Sequence, residues 1–287
     1  MAEQGVRISA DMLKNHSSAK DATLKGVQDV ENNPSFHSVG YGGLPNKEGH
    51  VVMDAGYMDG DTLHFGAVAA MEGFYSAAEV AQSLAEGDAN NFRAGTGAEK
   101  YAEEHGFAKR DNLTEEAKKI YEEKRMEELK PYDGHDTVCF VGLDEKGTIC
   151  TTTSTSGLFM KEPGRVGDTP MPGVGFYADS EVGGAAATGM GEEIAKGALS
   201  YAVVDRMKRG MSAQDACETA VKELDASLKK RNGYAQPMSV IALSKDGNWG
   251  AGTNIEFTFC VASEEQETTV YEMVEQDGNW VTKKKEN

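Results

Sequence analysis

The sequence predicts an α+β layered domain in which helices cover antiparallel sheets. Two observations carry that class. Segments of helical periodicity come in neighbouring pairs, and strand-like runs come as hairpins closed by turns containing Asp or Gly. A parallel βαβ architecture would alternate the two kinds of segment and is disfavoured. The 287 residues, 39% hydrophobic and 26% charged, suffice for one large domain or two modest ones and lie outside the composition of a disordered chain.

In chain order, residues 6–30 show helical spacing. Ile8, Met12, Leu13, Ala19, Ala22, Leu24 and Val27 form an apolar stripe, broken at residues 15–18 by turn-forming types. Ser38-Val39-Gly40-Tyr41-Gly42-Gly43-Leu44-Pro45 is too rich in glycine for a helix and reads as a strand end passing into a loop. Residues 51–58 and 62–68 are β-like runs around Asp59-Gly60-Asp61, a hairpin signal. Residues 77–84 and 98–105 are helical in pattern. Between 109 and 130 Lys, Glu and Asp dominate, as in a solvated helix or a flexible linker. Pro131-Tyr132-Asp133-Gly134 then breaks the chain just before His135-Asp136-Thr137.

The second half is richer in strands. Residues 137–143 and 148–154 flank Glu145-Lys146-Gly147 as a hairpin, and residues 173–179 and 183–188 are short β-like segments dense in Gly and Ala. Residues 192–209 form one helix, with Ile194, Ala198, Leu199, Ala202 and Val203 on a face and Gly210 as its stop. Ser212 caps a second helix running to about Lys229. Residues 238–243, 250–254 and 257–261 return to strand, and residues 268–285 form an edge hairpin around Asp277-Gly278. No internal repeat or low-complexity segment occurs in the sequence.

With 29 Lys and Arg against 47 Asp and Glu, the formal charge is −18. That excess of acid argues against nucleic acid as a partner, because neutralising phosphates needs a basic face. It leaves room for a small anionic ligand held by one arginine. No apolar run approaches the roughly 18 residues that would span a membrane. Residues 1–10 contain no apolar core of a signal peptide, so the expected location is the cytoplasm, although a missing amino-terminal part could hide a leader. Cys139, Cys150, Cys217 and Cys260 are scattered and read as buried, reduced thiols.

Several motifs carry little. Gly173-Val174-Gly175 lacks the third glycine of a dinucleotide fingerprint, and no phosphate-cradling GxxxxGK[ST] loop is present. The six histidines never fall in metal-binding spacing, so no metal is expected. Residue types alone leave a Ser/His/Asp triad open, but no GxSxG elbow anchors one. Thr137 stands where a strand begins after a long polar stretch. It reads either as a plain strand-initiating threonine or as something more reactive. A threonine freed as a chain terminus brings its own base, an α-amino group with a pKa of about 7.7–8.0.

Four motifs in order carry a resemblance. His135-Asp136-Thr137 is followed by Ser154-Thr155-Ser156-Gly157, then by Gly164-Arg165-Val166-Gly167-Asp168-Thr169-Pro170, then by Ala187-Thr188-Gly189-Met190-Gly191-Glu192. Together they resemble the glycosylasparaginases, N4-(β-N-acetylglucosaminyl)-L-asparaginases of the asparaginase type 2 family of N-terminal-nucleophile hydrolases. Ser38-Val39-Gly40-Tyr41-Gly42-Gly43 and Met53-Asp54-Ala55 match the first half of that family. The similarity runs over nearly the whole chain.

The resemblance implies a single four-layer αββα sandwich that cleaves itself at Asp136–Thr137 into fragments 1–136 and 137–287. Thr137 is then the nucleophile, with Asp136 assisting the cut, and the implied mechanism requires no metal or organic cofactor. Arg165 is implied to grip the α-carboxylate of a glycosyl-asparagine or asparagine-like substrate, and Asp168 to meet its α-ammonium. Thr188 and Gly189 correspond to the oxyanion hole, Thr155 to a hydroxyl beside the nucleophile, and Ser38 to a first-half residue near the same site. Two processed units are implied to pair as a dimer, with a role in glycoprotein degradation.

Two departures accompany the resemblance. Met190 stands where the family often carries a polar residue. The family's first apolar strand, which bears a tryptophan, has no counterpart here, since the first tryptophan is Trp249. The expected fold therefore lacks that strand, with Met1 falling just downstream of it. Related asparaginases and isoaspartyl dipeptidases are the nearest alternative, but they usually carry Gly rather than His-Asp before the threonine. An unprocessed family member acting as a binding or structural protein is the other.

Overall fold

The computed structural model describes residues 2–87, 89–125 and 137–285. The first helical stretch is two helices, α1 (Glu3–Lys14) and α2 (Ala19–Glu31), divided at residues 15–18 where the stripe breaks. His16 adopts φ +62°, and the Ser18 side chain caps α2 by accepting the Asp21 N–H. The glycine-rich stretch 38–45 contains turns and bends but no strand, which corrects the expected strand end. Its backbone bonds go to neighbouring loops instead: Tyr41 N–H donates to Glu31 O and Gly42 N–H to Asn112 O.

The next hairpin is β1 (Met53–Asp59) and β2 (Phe65–Met71), with Asp59 Oδ1 accepting from the backbone of Asp61 and Thr62 in the turn. After α3 (Ala77–Ala85) comes β3 (Phe92–Ala94), a three-residue strand parallel to β2 and too short for a periodic signal. Next follow α4 (Thr96–Glu104) and α5 (Glu115–Lys124). The latter is the solvated-helix alternative over residues 115–124, where only Ala117 is buried, while the rest of the charged stretch from residue 126 and the break at Pro131-Tyr132-Asp133-Gly134 lie outside the described residues.

The strands β4 (Thr137–Leu143) and β5 (Ile149–Thr155) complete a five-stranded sheet of order β3-β2-β1-β5-β4. A second sheet of order β6-β7-β8-β9 contains β6 (Phe176–Asp179), β7 (Gly183–Gly189), β8 (Met238–Ser244) and β9 (Trp249–Thr253). The expected single helix at 192–209 is two, α6 (Gly191–Gly197) and α7 (Leu199–Lys208). Ala198 breaks them in the left-handed region at φ +44°, and the carbonyls of Gly173 and Val174 accept the freed N–H groups of Tyr201 and Ser200. Then comes α8 (Ala213–Asn232), capped by Ser212 and stopped by Gly233. Last, β10 (Phe257–Val261), β11 (Thr269–Gln276) and β12 (Asn279–Lys284) form a third sheet, with the β11–β12 turn at Asp277-Gly278, both at positive φ.

The layers follow from which faces are apolar. Helices α2 and α3 pack on the outer face of the five-stranded sheet around Val27, Val30, Val68, Val80 and Phe140. Helices α7 and α8 pack on the outer face of the second sheet around Leu199, Val203, Cys217, Val221 and Val240. The two sheets meet through β1, β4, β5, β6, β7 and β8, giving four layers in αββα order.

Between the sheets, Met58, Ile149, Phe176 and Ala178 are buried. The hydroxyls of β5 alternate as a strand requires. Thr152 Oγ1 and Ser154 Oγ donate to Thr23 and Glu31 on the helix side, whereas Thr153 Oγ1 donates to Thr169 O on the sheet side. Strand β4 is the outermost of its sheet, and its outer edge borders a groove also lined by Val6, Ala10, Ile241 and Phe259. All four cysteines are free. Cys150 and Cys217 are buried as expected, but Cys139 and Cys260 are only half-buried, beside that groove.

Candidate active site

Thr137 is the first residue of β4 and pairs across the ladder with Thr155, the last residue of β5, which in turn pairs with Asp54 on β1. Paired residues point to the same face. The row Asp54–Thr155–Thr137 therefore looks toward the second sheet. Thr137 Oγ1 lies 3.1 Å from Thr169 Oγ1. That contact joins the strand to the loop carrying Arg165 and Asp168. Thr169 was not singled out in sequence, although it sits inside the Gly164–Pro170 motif. Thr155 Oγ1 accepts the Gly157 N–H at 2.9 Å and approaches Ser38 O at 3.5 Å, while Ser156 N–H donates to Ser38 O at 2.7 Å. Ser38 thus reaches the row through its backbone carbonyl.

Arg165 projects a two-pronged donor set, as expected, but a carboxylate of the chain already fills it. Nε and Nη2 donate to Glu192 Oε1 and Oε2 at 2.9 and 2.8 Å. Arg165 in turn holds the Glu192 carboxyl below the usual carboxylate range. Asp168 is buried, and burial pushes its carboxyl up to about 7, with Arg165 pulling the other way. Its Oδ2 accepts no hydrogen bond among the described residues. Such an atom is ready to accept from a cation, an ammonium included.

Thr188 and Gly189 end β7. Thr188 Oγ1 is buried and likewise has no partner among the described residues. Gly189 has φ +134°, and a Cβ there would collide with Pro237 O. Only glycine fits. Thr137 and Thr188 both line a cavity of about 720 Å³, together with Val138, Cys139 and Ile241. Arg165 and Asp168 do not line it, and their link to Thr137 runs through Thr169. His135 and Asp136, on the amino-terminal side of the expected cut, lie outside the described residues. No group of three or more His, Cys, Asp or Glu that could hold a metal occurs among the described residues. Nor is any helix among them long and apolar enough to cross a membrane.

A hydroxyl at the head of an edge strand, an arginine–aspartate pair of opposite sign and an unpartnered hydroxyl at a neighbouring strand end suit acyl transfer from a zwitterionic amide. With the αββα layers, they define an amidohydrolase of the N-terminal-nucleophile class. A family model described as asparaginase matches residues 2–272. The chain is 37% identical over 246 residues to an N(4)-(beta-N-acetylglucosaminyl)-L-asparaginase of Elizabethkingia miricola, covering 84% of this chain and 72% of that one. It is 35% identical over 259 residues to an isoaspartyl peptidase/L-asparaginase of Mus musculus, covering 87% and 76%. A plant-type L-asparaginase of Thermococcus kodakarensis is 37% identical over 254 residues, covering 83% and 80%. The chain belongs to this asparaginase family.

Proposed function

We propose that the chain cleaves itself before Thr137 and then hydrolyses the side-chain amide of N4-(β-N-acetylglucosaminyl)-L-asparagine, releasing aspartate. The observation that carries the reading is the Thr137–Thr169 contact at 3.1 Å, which couples the head of β4 to the Arg165–Asp168 loop. In the self-cleavage, Thr137 Oγ attacks the Asp136 carbonyl carbon, the C–N bond breaks and the amide nitrogen becomes a free amine. Water then hydrolyses the resulting ester, leaving fragments 1–136 and 137–287. Two processed units pair as a dimer.

In turnover the freed α-amine of Thr137 takes the Oγ proton as Oγ attacks the substrate amide carbon. Thr188 Oγ–H and the Gly189 N–H receive the oxyanion. Each such donor typically contributes about 3–4 kcal/mol. The amine returns the proton to the departing glycosylamine nitrogen, which leaves an aspartyl ester on Thr137. Water, deprotonated by the same amine, releases aspartate. Thr155 orients the nucleophile, and the Ser38 carbonyl buttresses Thr155. Arg165 holds the α-carboxylate after Glu192 moves aside, and Asp168 holds the α-ammonium.

His135-Asp136 before the threonine favours the glycosylated substrate over asparagine or β-aspartyl dipeptides. All three share the aspartyl half that Arg165 and Asp168 would read. The test has two parts. A denaturing gel should show two fragments from wild type and one band from Thr137→Ala, and turnover of the three substrates should rank glucosaminyl-asparagine first. A single intact wild-type band after long incubation at neutral pH overturns the reading in favour of a non-catalytic relative. A ranking led by asparagine or a β-aspartyl dipeptide reassigns the substrate.

A further inference from the structure

The Met53-Asp54-Ala55 motif takes no part in the chemistry above, yet Asp54 is 0% exposed. Oδ1 accepts the Ala70 N–H at 2.8 Å, and Oδ2 faces Lys161 Nζ at 3.7 Å with no hydrogen bond among the described residues. The Lys161 side chain is itself only 2% exposed. It comes from the β5–β6 loop, the same loop that carries Arg165.

The loop is built around that ammonium. Gly157 has the left-handed φ of +72° that favours glycine, and a Cβ there would stand 2.7 Å from Lys161 Nζ. Nζ lies 3.4 Å from Val52 O. The backbone on either side is tied to the 38–47 segment, with Met160 N–H donating to Pro45 O at 3.0 Å and Lys47 N–H to Lys161 O at 3.1 Å. The charged groups facing Lys161 are Asp54 from β1, Arg165 from its own loop and Glu72 just beyond β2.

A buried ion pair is a poor device for stability alone, since apolar groups of similar size often serve as well or better. This one lies at the end of the Asp54–Thr155–Thr137 row and at the root of the Arg165 loop. We propose that Lys161, clamped on Asp54, is a positioning residue for the carboxylate end of the substrate, holding the 156–165 loop to the sheet and setting a second positive charge behind Arg165. The inference rests on the reading of Arg165 given under Proposed function.

The test compares N4-(β-N-acetylglucosaminyl)-L-asparagine with its α-carboxamide, which keeps the scissile bond and removes the negative charge. Wild type, Lys161→Met and the neutral double variant Lys161→Met/Asp54→Asn are assayed. The double variant covers the case in which the single one fails to fold around an unpaired Asp54. The ratio of kcat/KM for carboxylate over carboxamide should fall about tenfold in the folded variants, with kcat on the carboxamide within about threefold of wild type. A merely structural pair would lower both substrates alike. A wild-type preference for the carboxylate that survives intact in the variants overturns the role of Lys161 alone. No preference in an active wild type overturns the assignment of Arg165, and this proposal with it.

Discussion

The guanidinium of Arg165 is closed on the carboxylate of Glu192, two parallel hydrogen bonds of 2.9 and 2.8 Å linking the β5–β6 loop to the first turn of α6. The Glu192 side chain is 52% exposed, so water screens the pair and it contributes at most about 1 kcal/mol. Under the proposed function, a substrate carboxylate would compete with it for the same fork. Glu192→Gln should therefore lower KM by about fivefold, the equivalent of that energy, with kcat little changed. Steady-state kinetics check it, and a raised KM would show that Glu192 helps to hold Arg165 rather than blocking it.

Thr169 has no role assigned from sequence, yet its Oγ1 is the polar neighbour of Thr137 Oγ1. Thr169→Val keeps the shape and removes the hydroxyl. Removing the hydroxyl beside the nucleophile should slow kcat by about fivefold, the equivalent of about 1 kcal/mol of transition-state stabilisation, while the melting temperature falls by no more than a few degrees. An equal fall in activity and stability would mean that the hydroxyl supports the fold rather than the reaction.

The buried Asp168 makes stability depend on pH with a definite sign. Its carboxyl is raised by burial from an ordinary 3.8 to about 7, so the fold keeps a proton that the unfolded chain has released. Stability should fall as pH rises from about 4 to about 7 and level off above that. Asp168→Asn removes this dependence, and its melting temperature should exceed that of wild type at pH 8, the gap closing toward pH 4. Parallel melting curves across that range would show an ionised Asp168. If Asp168 holds the substrate ammonium as proposed, only its ionised form is a strong partner, and KM in wild type should drop as pH passes upward through about 7.

Gly189→Ala combines a positive φ of +134° with a collision against Pro237 O. Strain of this order costs about 1–3 kcal/mol, which urea titration would register as a lower midpoint with an unchanged slope. Turnover should fall further than stability does, because the neighbouring Thr188 moves with the strand end. Unchanged turnover in the folded variant would remove Gly189 from the oxyanion site.

Much of the fold was legible because local chemistry and global packing agree. Asp59-Gly60-Asp61 and Asp277-Gly278 closed the hairpins they announced, and the turn-forming residues at 15–18 separated α1 from α2 where the apolar stripe faltered. The failures are tertiary. Alanine is the best helix former, so nothing local marks Ala198 as a break. The break arises because the carbonyls of Gly173 and Val174 enter from a distant loop. Strand β3 is three residues long and borrows its structure from β2. In the site, residue types alone left Thr137 open, and it was the resemblance of the four motifs that implied roles for Thr137, Arg165 and Asp168. Thr169 and Glu192 lay within the same motifs, but what each touches depends on side-chain contacts across 32 and 27 positions of chain.

The strand order β3-β2-β1-β5-β4 has a kinetic consequence for a chain cut before Thr137. The break would fall at the head of the outermost strand, while six paired positions between β1 and β5 would still bind one piece to the other. The nicked protein would melt as one body, since the five-stranded sheet is shared, with β1, β2 and β3 on one piece and β4 and β5 on the other. Its recovery from denaturant would no longer be a first-order event. Two separate chains would have to meet, so renaturation would slow on dilution and fail at low concentration, although the intact precursor refolds at a rate indifferent to both.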